Sequence, residues 1–242
     1  MAQLHFSALS DRGIRSINND AFCAEKIGNY YVFGVAEGET DPMYEGAASS
    51  TAIACLKEAA KSEANSPAAA LARAVHESDA RISAHAADAP FRTSDATHLS
   101  ACLIDDALDC TIIDTGEGNA YLVSRASIQV PREHASSRHP PVPGFPEWGN
   151  NGEKKREEMI THTLGEPRIL AKTDFVVVNL VDRFLLFSSG GLHDYVKKDR
   201  IAEIVLQNGE NVEASCEFLL QEALSAGSDR TITLVLVHGH RH

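Results

Sequence analysis

Two pairs of helix-period segments set among short apolar strands constrain this fold more than any other feature. Residues 4–9 alternate, and residues 21–27 read as a second strand. Gly28-Asn29 is a hairpin signal, and residues 30–36 form a continuous apolar run, the pattern of a strand covered on both faces. From Tyr44 the period becomes helical. Ala48, Ala52, Cys55 and Ala59 share a face that ends near Lys61. Ser66-Pro67 is a cap followed by proline at the first helical position, and Leu71, Val75 and Ile82 line the second helix. Strands are expected at 99–104, 109–114, 120–124, 175–179 and 184–188. A second helix pair follows at about 200–207 and 212–224, with Val212, Cys216, Leu219, Leu220 and Ala223 on one face. A last strand covers 231–237. Strand blocks flanked by two helix pairs imply two stacked sheets covered on both outer sides by helices.

Residues 133–158 interrupt this pattern with Pro140, Pro141, Pro143 and Pro146, then a charged run. They read as a long surface insertion, a flap of about 133–160 in a single domain spanning 1–242. The formal net charge is −12, which disfavours nucleic acid and anionic lipid as partners. No apolar run approaches the roughly 20 residues of a membrane span. The five cysteines are scattered and set among apolar residues, as buried free thiols of a cytoplasmic protein are.

Acidic residues recur where strands begin or end: Asp20 after Arg15 and Asn18-Asn19, Glu37 before Gly38, and Asp229 after Gly227-Ser228. Strand-end loops can aim carboxylates at one point. Hard divalent cations take such oxygen ligands, and an arginine nearby can grip a phosphate in bidentate fashion. Taken alone, each acid reads as a solvated turn residue or a helix cap before it reads as a ligand.

The order of these segments resembles the type-2C (PPM) metal-dependent protein serine/threonine phosphatases. Ser10-Asp11-Arg12-Gly13, Arg15 and Asn18-Asn19-Asp20 resemble the opening S-D-x-G-x-x-R-x-x-N-E-D. Val35-Ala36-Glu37-Gly38 is similar to V-A-D-G, and the segment 114–122 to N-x-G-D-S-R-A-Y-L. Arg132-Glu133-His134 resembles T-x-D-H-S, and Thr163-Leu164-Gly165 the end of T-R-A-L-G. The segment 185–194 resembles L-L-L-x-S-D-G-L-x-D, and 227–233 resembles G-x-x-D-N-x-T.

The resemblance implies an α+β four-layer αββα sandwich of two antiparallel sheets, each backed by a helix pair. It implies hydrolysis of phosphoserine or phosphothreonine in a protein or peptide, assisted by magnesium or manganese. On that reading Arg15 grips the phosphate and Asp20 orients metal-bound water, while Glu37, the Gly38 carbonyl and Asp229 hold metal. The departures from the pattern are as informative. The bridging aspartate is Glu37, the usual glutamate is the neutral Asn19, and the aspartate of S-D-G is Gly190. One metal site is therefore expected to be weak or absent. Asp194 and His193 are candidates for a displaced metal site. The residues leave two functions open: a phosphatase, or a catalytically inactive pseudophosphatase that binds phosphopeptides or regulates.

Overall fold

A computed structural model describes residues 2–38, 47–62, 66–88, 96–116, 120–125, 128–129, 164–165 and 175–241. The first sheet has the order β1-β10-β9-β6-β7, built from β1 (Ala2–Asp11), β6 (Ala120–Val123), β7 (Ile128–Gln129), β9 (Arg183–Ser188) and β10 (Ile232–Arg241). The second has the order β2-β3-β4-β5-β8, from β2 (Ala21–Ile27), β3 (Tyr30–Gly38), β4 (Thr97–Ile104), β5 (Asp109–Asp114) and β8 (Phe175–Asn179). Neighbouring strands pair antiparallel in both sheets.

Helices α1 (Ala47–Lys61) and α2 (Pro67–Asp88) cover the second sheet. Helices α4 (Lys198–Asn208) and α5 (Val212–Ser225) cover the first, beside the short α3 (Gly190–His193). Three apolar layers follow from this stacking. Ala52, Leu56, Leu71 and Val75 meet Val32 and Leu103 on the α1/α2 side. Phe33, Cys102, Leu185, Phe187 and Val235 fill the space between the sheets. Ile201, Leu219 and Leu220 meet Leu186 and Leu234 on the α4/α5 side. Successive residues of a strand point to opposite faces, so a strand packed on both faces is buried at consecutive positions. β4 meets that condition, being buried along its whole length, and β3 is buried from Val32 to Glu37. The four-layer α+β arrangement expected from the sequence is the one present.

The helix faces expected at Ala48, Ala52, Cys55 and Ala59, and at Val212, Cys216, Leu219, Leu220 and Ala223, are buried. Ser66 Oγ accepts from the Ala69 amide at 3.2 Å, which satisfies one of the unpaired amides at the start of α2. The five cysteines are buried and free. No helix among the described residues is long and apolar enough to cross a membrane.

The last strand is longer than expected. β10 runs to Arg241 because it pairs residue for residue with β1, from Ile232 opposite Asp11 to Arg241 opposite Ala2. His238 and His240 are thus strand residues, and His238 stacks on Phe184 at 4.1 Å between ring centroids. Two elements went unforeseen. β7 is two residues long. α3 begins with Gly190-Gly191, two residues that disfavour a helix. The expected flap, and with it Arg132-Glu133-His134, lies outside the described residues.

Candidate active site

Four chain segments meet at one end of the sandwich. They are the β1–β2 loop, the end of β3, the β9–α3 turn, and the segment leading into β10. Seryl and threonyl hydroxyls tie them together. Ser10 Oγ and Thr233 Oγ1 lie 2.7 Å apart, and Asn18 Nδ2 donates to Ser10 Oγ at 2.8 Å. Ser189 Oγ donates to the Thr231 carbonyl at 3.1 Å and accepts from the Thr233 amide at 2.9 Å. Ser228 Oγ donates to the Gly191 carbonyl at 2.8 Å. From α1, Ser49 Oγ donates to the Asn19 carbonyl at 2.6 Å. The Asn19 backbone also presses on β3 so closely that a Cβ at Gly38 would lie 2.5 Å from the Asn19 carbonyl oxygen. Only glycine permits that approach.

Asp20 and Glu37 are the acids held deepest. Asp20 Oδ2 accepts from Thr233 Oγ1 at 2.8 Å, while Oδ1 is buried without a hydrogen-bond partner among the described residues. Burial raises the pKa of Asp20 against the opposing pull of nearby hydroxyls and of Arg230. Glu37 is 7% exposed at the end of β3, where Thr97 Oγ1 donates to its carbonyl at 2.7 Å. Its Oε2 accepts from the Gly190 amide at 2.9 Å, and its Oε1 accepts from Arg230 Nη2 at 2.7 Å. Burial first, then the neighbouring charge of Asp20, push the Glu37 carboxyl up to about 7.

Asp229 stands differently. Its carboxylate is exposed and accepts from the Tyr195 hydroxyl at 2.5 Å, a bond that holds its pKa below the usual value. Arg15 reaches the same residue: its Nε donates to the Asp229 carbonyl at 2.7 Å, leaving an exposed guanidinium beside that acid. Asp194 ion-pairs with Arg230 at 2.5 Å, and His193 Nε2 lies 3.6 Å from Asp194. Burial pushes the His193 pKa down, which favours the neutral imidazole. Among the described residues no group of three or more histidines, cysteines or acids is placed to hold a metal ion. No displaced metal site at His193 and Asp194 is assembled among the described residues. Asp194 serves Arg230 instead.

Arg230 is the site residue that sequence reasoning passed over. Laid residue for residue over 227–233, the motif G-x-x-D-N-x-T has its aspartate at Arg230 and its asparagine at Thr231, so the departure was visible. Its guanidinium bridges Glu37 and Asp194 beside Gly190. A Cβ at Gly190 would lie 2.7 Å from Arg230 Cζ and Nη1 and 2.8 Å from Glu37 Oε1. The two carboxylates raise the pKa of Arg230 against the cost of its partial burial. A two-cation centre does not fit these residues as they stand. Asn19 is neutral, position 190 has no side chain, and a guanidinium already pairs with the buried glutamate.

No protein-family model matches the chain, and no curated protein sequence does either. Solved structures do match it in fold. The catalytic domain of the serine/threonine protein phosphatase PstP, in complex with two manganese ions, superposes with a TM-score of 0.78 at 22% identity, covering 100% of both chains. PstP/Ppp of Mycobacterium tuberculosis gives 0.76 at 23% identity over 99% of each chain. PppA, a key regulatory component of the T6SS in Pseudomonas aeruginosa, gives 0.77 at 15% identity over 99% of this chain and 100% of that one. The fold of this chain is the PPM phosphatase fold.

Proposed function

We propose, from a chain with the PPM fold, that it is a phosphatase-like protein acting on phosphoserine or phosphothreonine in proteins, with weak metal-assisted hydrolysis. The observation that carries this reading is the convergence of Arg15, Asp20, Glu37 and Asp229 at one end of the sandwich, linked through Arg230, Tyr195 and Thr233. Arg15 is the phosphate grip: its fork is exposed and anchored through Nε to the Asp229 carbonyl. That fork can meet two phosphate oxygens at once, which a lysine cannot. Asp20, fixed by Thr233, holds a buried acceptor oxygen for a water proton.

The oxygens of Glu37, the Gly38 carbonyl and Asp229 are the donors for a single magnesium or manganese ion. Such an ion supplies polarisation of a phosphoryl oxygen. It binds weakly here, because Glu37 is paired with Arg230 and Asp229 with Tyr195. The test is phosphate release from a phosphothreonine peptide and from an aryl phosphate, with manganese and with EDTA. Slow release that requires manganese supports the proposal.

The Arg230–Glu37 ion pair also favours a second reading, a pseudophosphatase that binds phosphopeptides without cleaving them. Peptide binding that depends on Arg15, with no phosphate release under any condition, would select it.

A further inference from the structure

The absence of a side chain at Gly190 and the presence of arginine at position 230 are spatially complementary. The nearest neighbours of a Cβ at 190 would be Arg230 Cζ and Nη1, each at 2.7 Å. A side chain at 190 would therefore enter the volume that the guanidinium fills. The guanidinium is also where a positive charge is most needed, with Nη2 at 2.7 Å from the buried Glu37 and Nη1 at 2.5 Å from Asp194.

We infer that Arg230 is a built-in competitor for the cation of this centre: its pairing with Glu37 and the uptake of a divalent cation by Glu37 exclude each other. The inference rests on the reading of Glu37 as a metal donor. The physical argument has two parts. An ionised carboxylate as buried as Glu37 is costly unless paired, so whenever Glu37 is ionised the centre holds a cation beside it. A guanidinium and a metal ion cannot share Oε1, because like charges at that separation repel and each needs the same lone pairs. Arg230 can leave without unfolding the chain, since its side chain is 41% exposed. A metal ion must therefore displace an existing ion pair as well as shed its own water, which lowers its apparent affinity.

The experiment compares the full chain with Arg230→Asn and Arg230→Lys, titrating manganese by calorimetry and following thermal unfolding in EDTA and in manganese. Arg230→Asn should bind manganese at least about tenfold more tightly than the wild type. It should also unfold at a lower temperature in EDTA and recover in manganese. Arg230→Lys keeps the charge but not the two-armed bridge, and should fall between them. If Arg230→Asn does not fold in EDTA, recovery of folding in manganese supports competition and failure to recover overturns it. Equal manganese affinity in the wild type and Arg230→Asn also overturns it. Neither readout involves phosphate release, so this inference and the proposed hydrolysis stand or fall separately.

Discussion

Replacing Gly190 by alanine isolates the contact between position 190 and Arg230 without adding charge. Gly190 has no positive φ, so alanine brings no backbone strain there. It opens α3, where glycine is about 0.5–1 kcal/mol worse than alanine. Local conformation alone therefore predicts a small gain in stability. The added Cβ, however, lies 2.7 Å from two guanidinium atoms and 2.8 Å from Glu37 Oε1. Ordinary contact needs the guanidinium to retreat by most of an ångström, which breaks its bond to Glu37. Overpacking of this kind costs about 1–3 kcal/mol, so the net loss should be roughly 0.5–2 kcal/mol. In an Arg230→Asn background the guanidinium is gone and Glu37 is free to turn, and the same substitution should become neutral or stabilising. The assay is urea unfolding in EDTA near pH 7.5 across the four members of the cycle, with a coupling of about 1–2 kcal/mol expected. The same cost in both backgrounds would refute the placement of the guanidinium against Gly190.

Other outcomes follow from the same geometry. Arg15→Ala should weaken phosphopeptide binding or raise KM about tenfold or more, with Arg15→Lys failing to restore it; unchanged affinity in both would remove Arg15 from the site. The unfolded chain gives up the Glu37 proton near 4.5, but the folded chain holds it until about 7. The folded state thus binds more protons across that window, so stability falls as pH rises through it and levels off above it. The loss should be roughly 3 kcal/mol by chemical unfolding, and Glu37→Gln should flatten the profile. Tyr195→Phe removes the bond that lowers the Asp229 pKa; NMR titration should show that pKa rising toward its ordinary value, with manganese bound more tightly than by the wild type. The buried cysteines should react with a thiol reagent only on unfolding.

The layered fold was legible because its signals are periodic. Val32–Ala36 is apolar throughout and Leu99–Ile104 is apolar but for Ser100, since both faces of their strands are covered, and α1 and α5 show one apolar face each. α3 was not legible, since it forms around a close backbone approach. A Cβ at Gly191 would lie 2.1 Å from the Thr231 carbonyl oxygen, a tertiary constraint with no local pattern. At the site, Arg15, Asp20 and Glu37 drew attention because each occurs in a recognisable string, whereas the aspartate of the last string falls on Arg230, beside Asp229. What those strings do not reveal is pairing. That Glu37 meets Arg230, and that Asp229 meets Tyr195, depends on how the β9–α3 turn packs against the segment before β10. The loss of a carboxylate at Gly190 was plain in the sequence; that a guanidinium fills the space became plain only with both segments in place.

Turnover of a phosphothreonine peptide as a function of manganese, in the wild type beside Arg230→Asn, tests the central claim most directly. The account predicts no turnover in EDTA and slow turnover in the wild type that keeps rising into millimolar manganese. Arg230→Asn should reach the same rate at about tenfold less manganese. Efficient wild-type turnover that saturates at micromolar manganese, or turnover undiminished by EDTA, would contradict it.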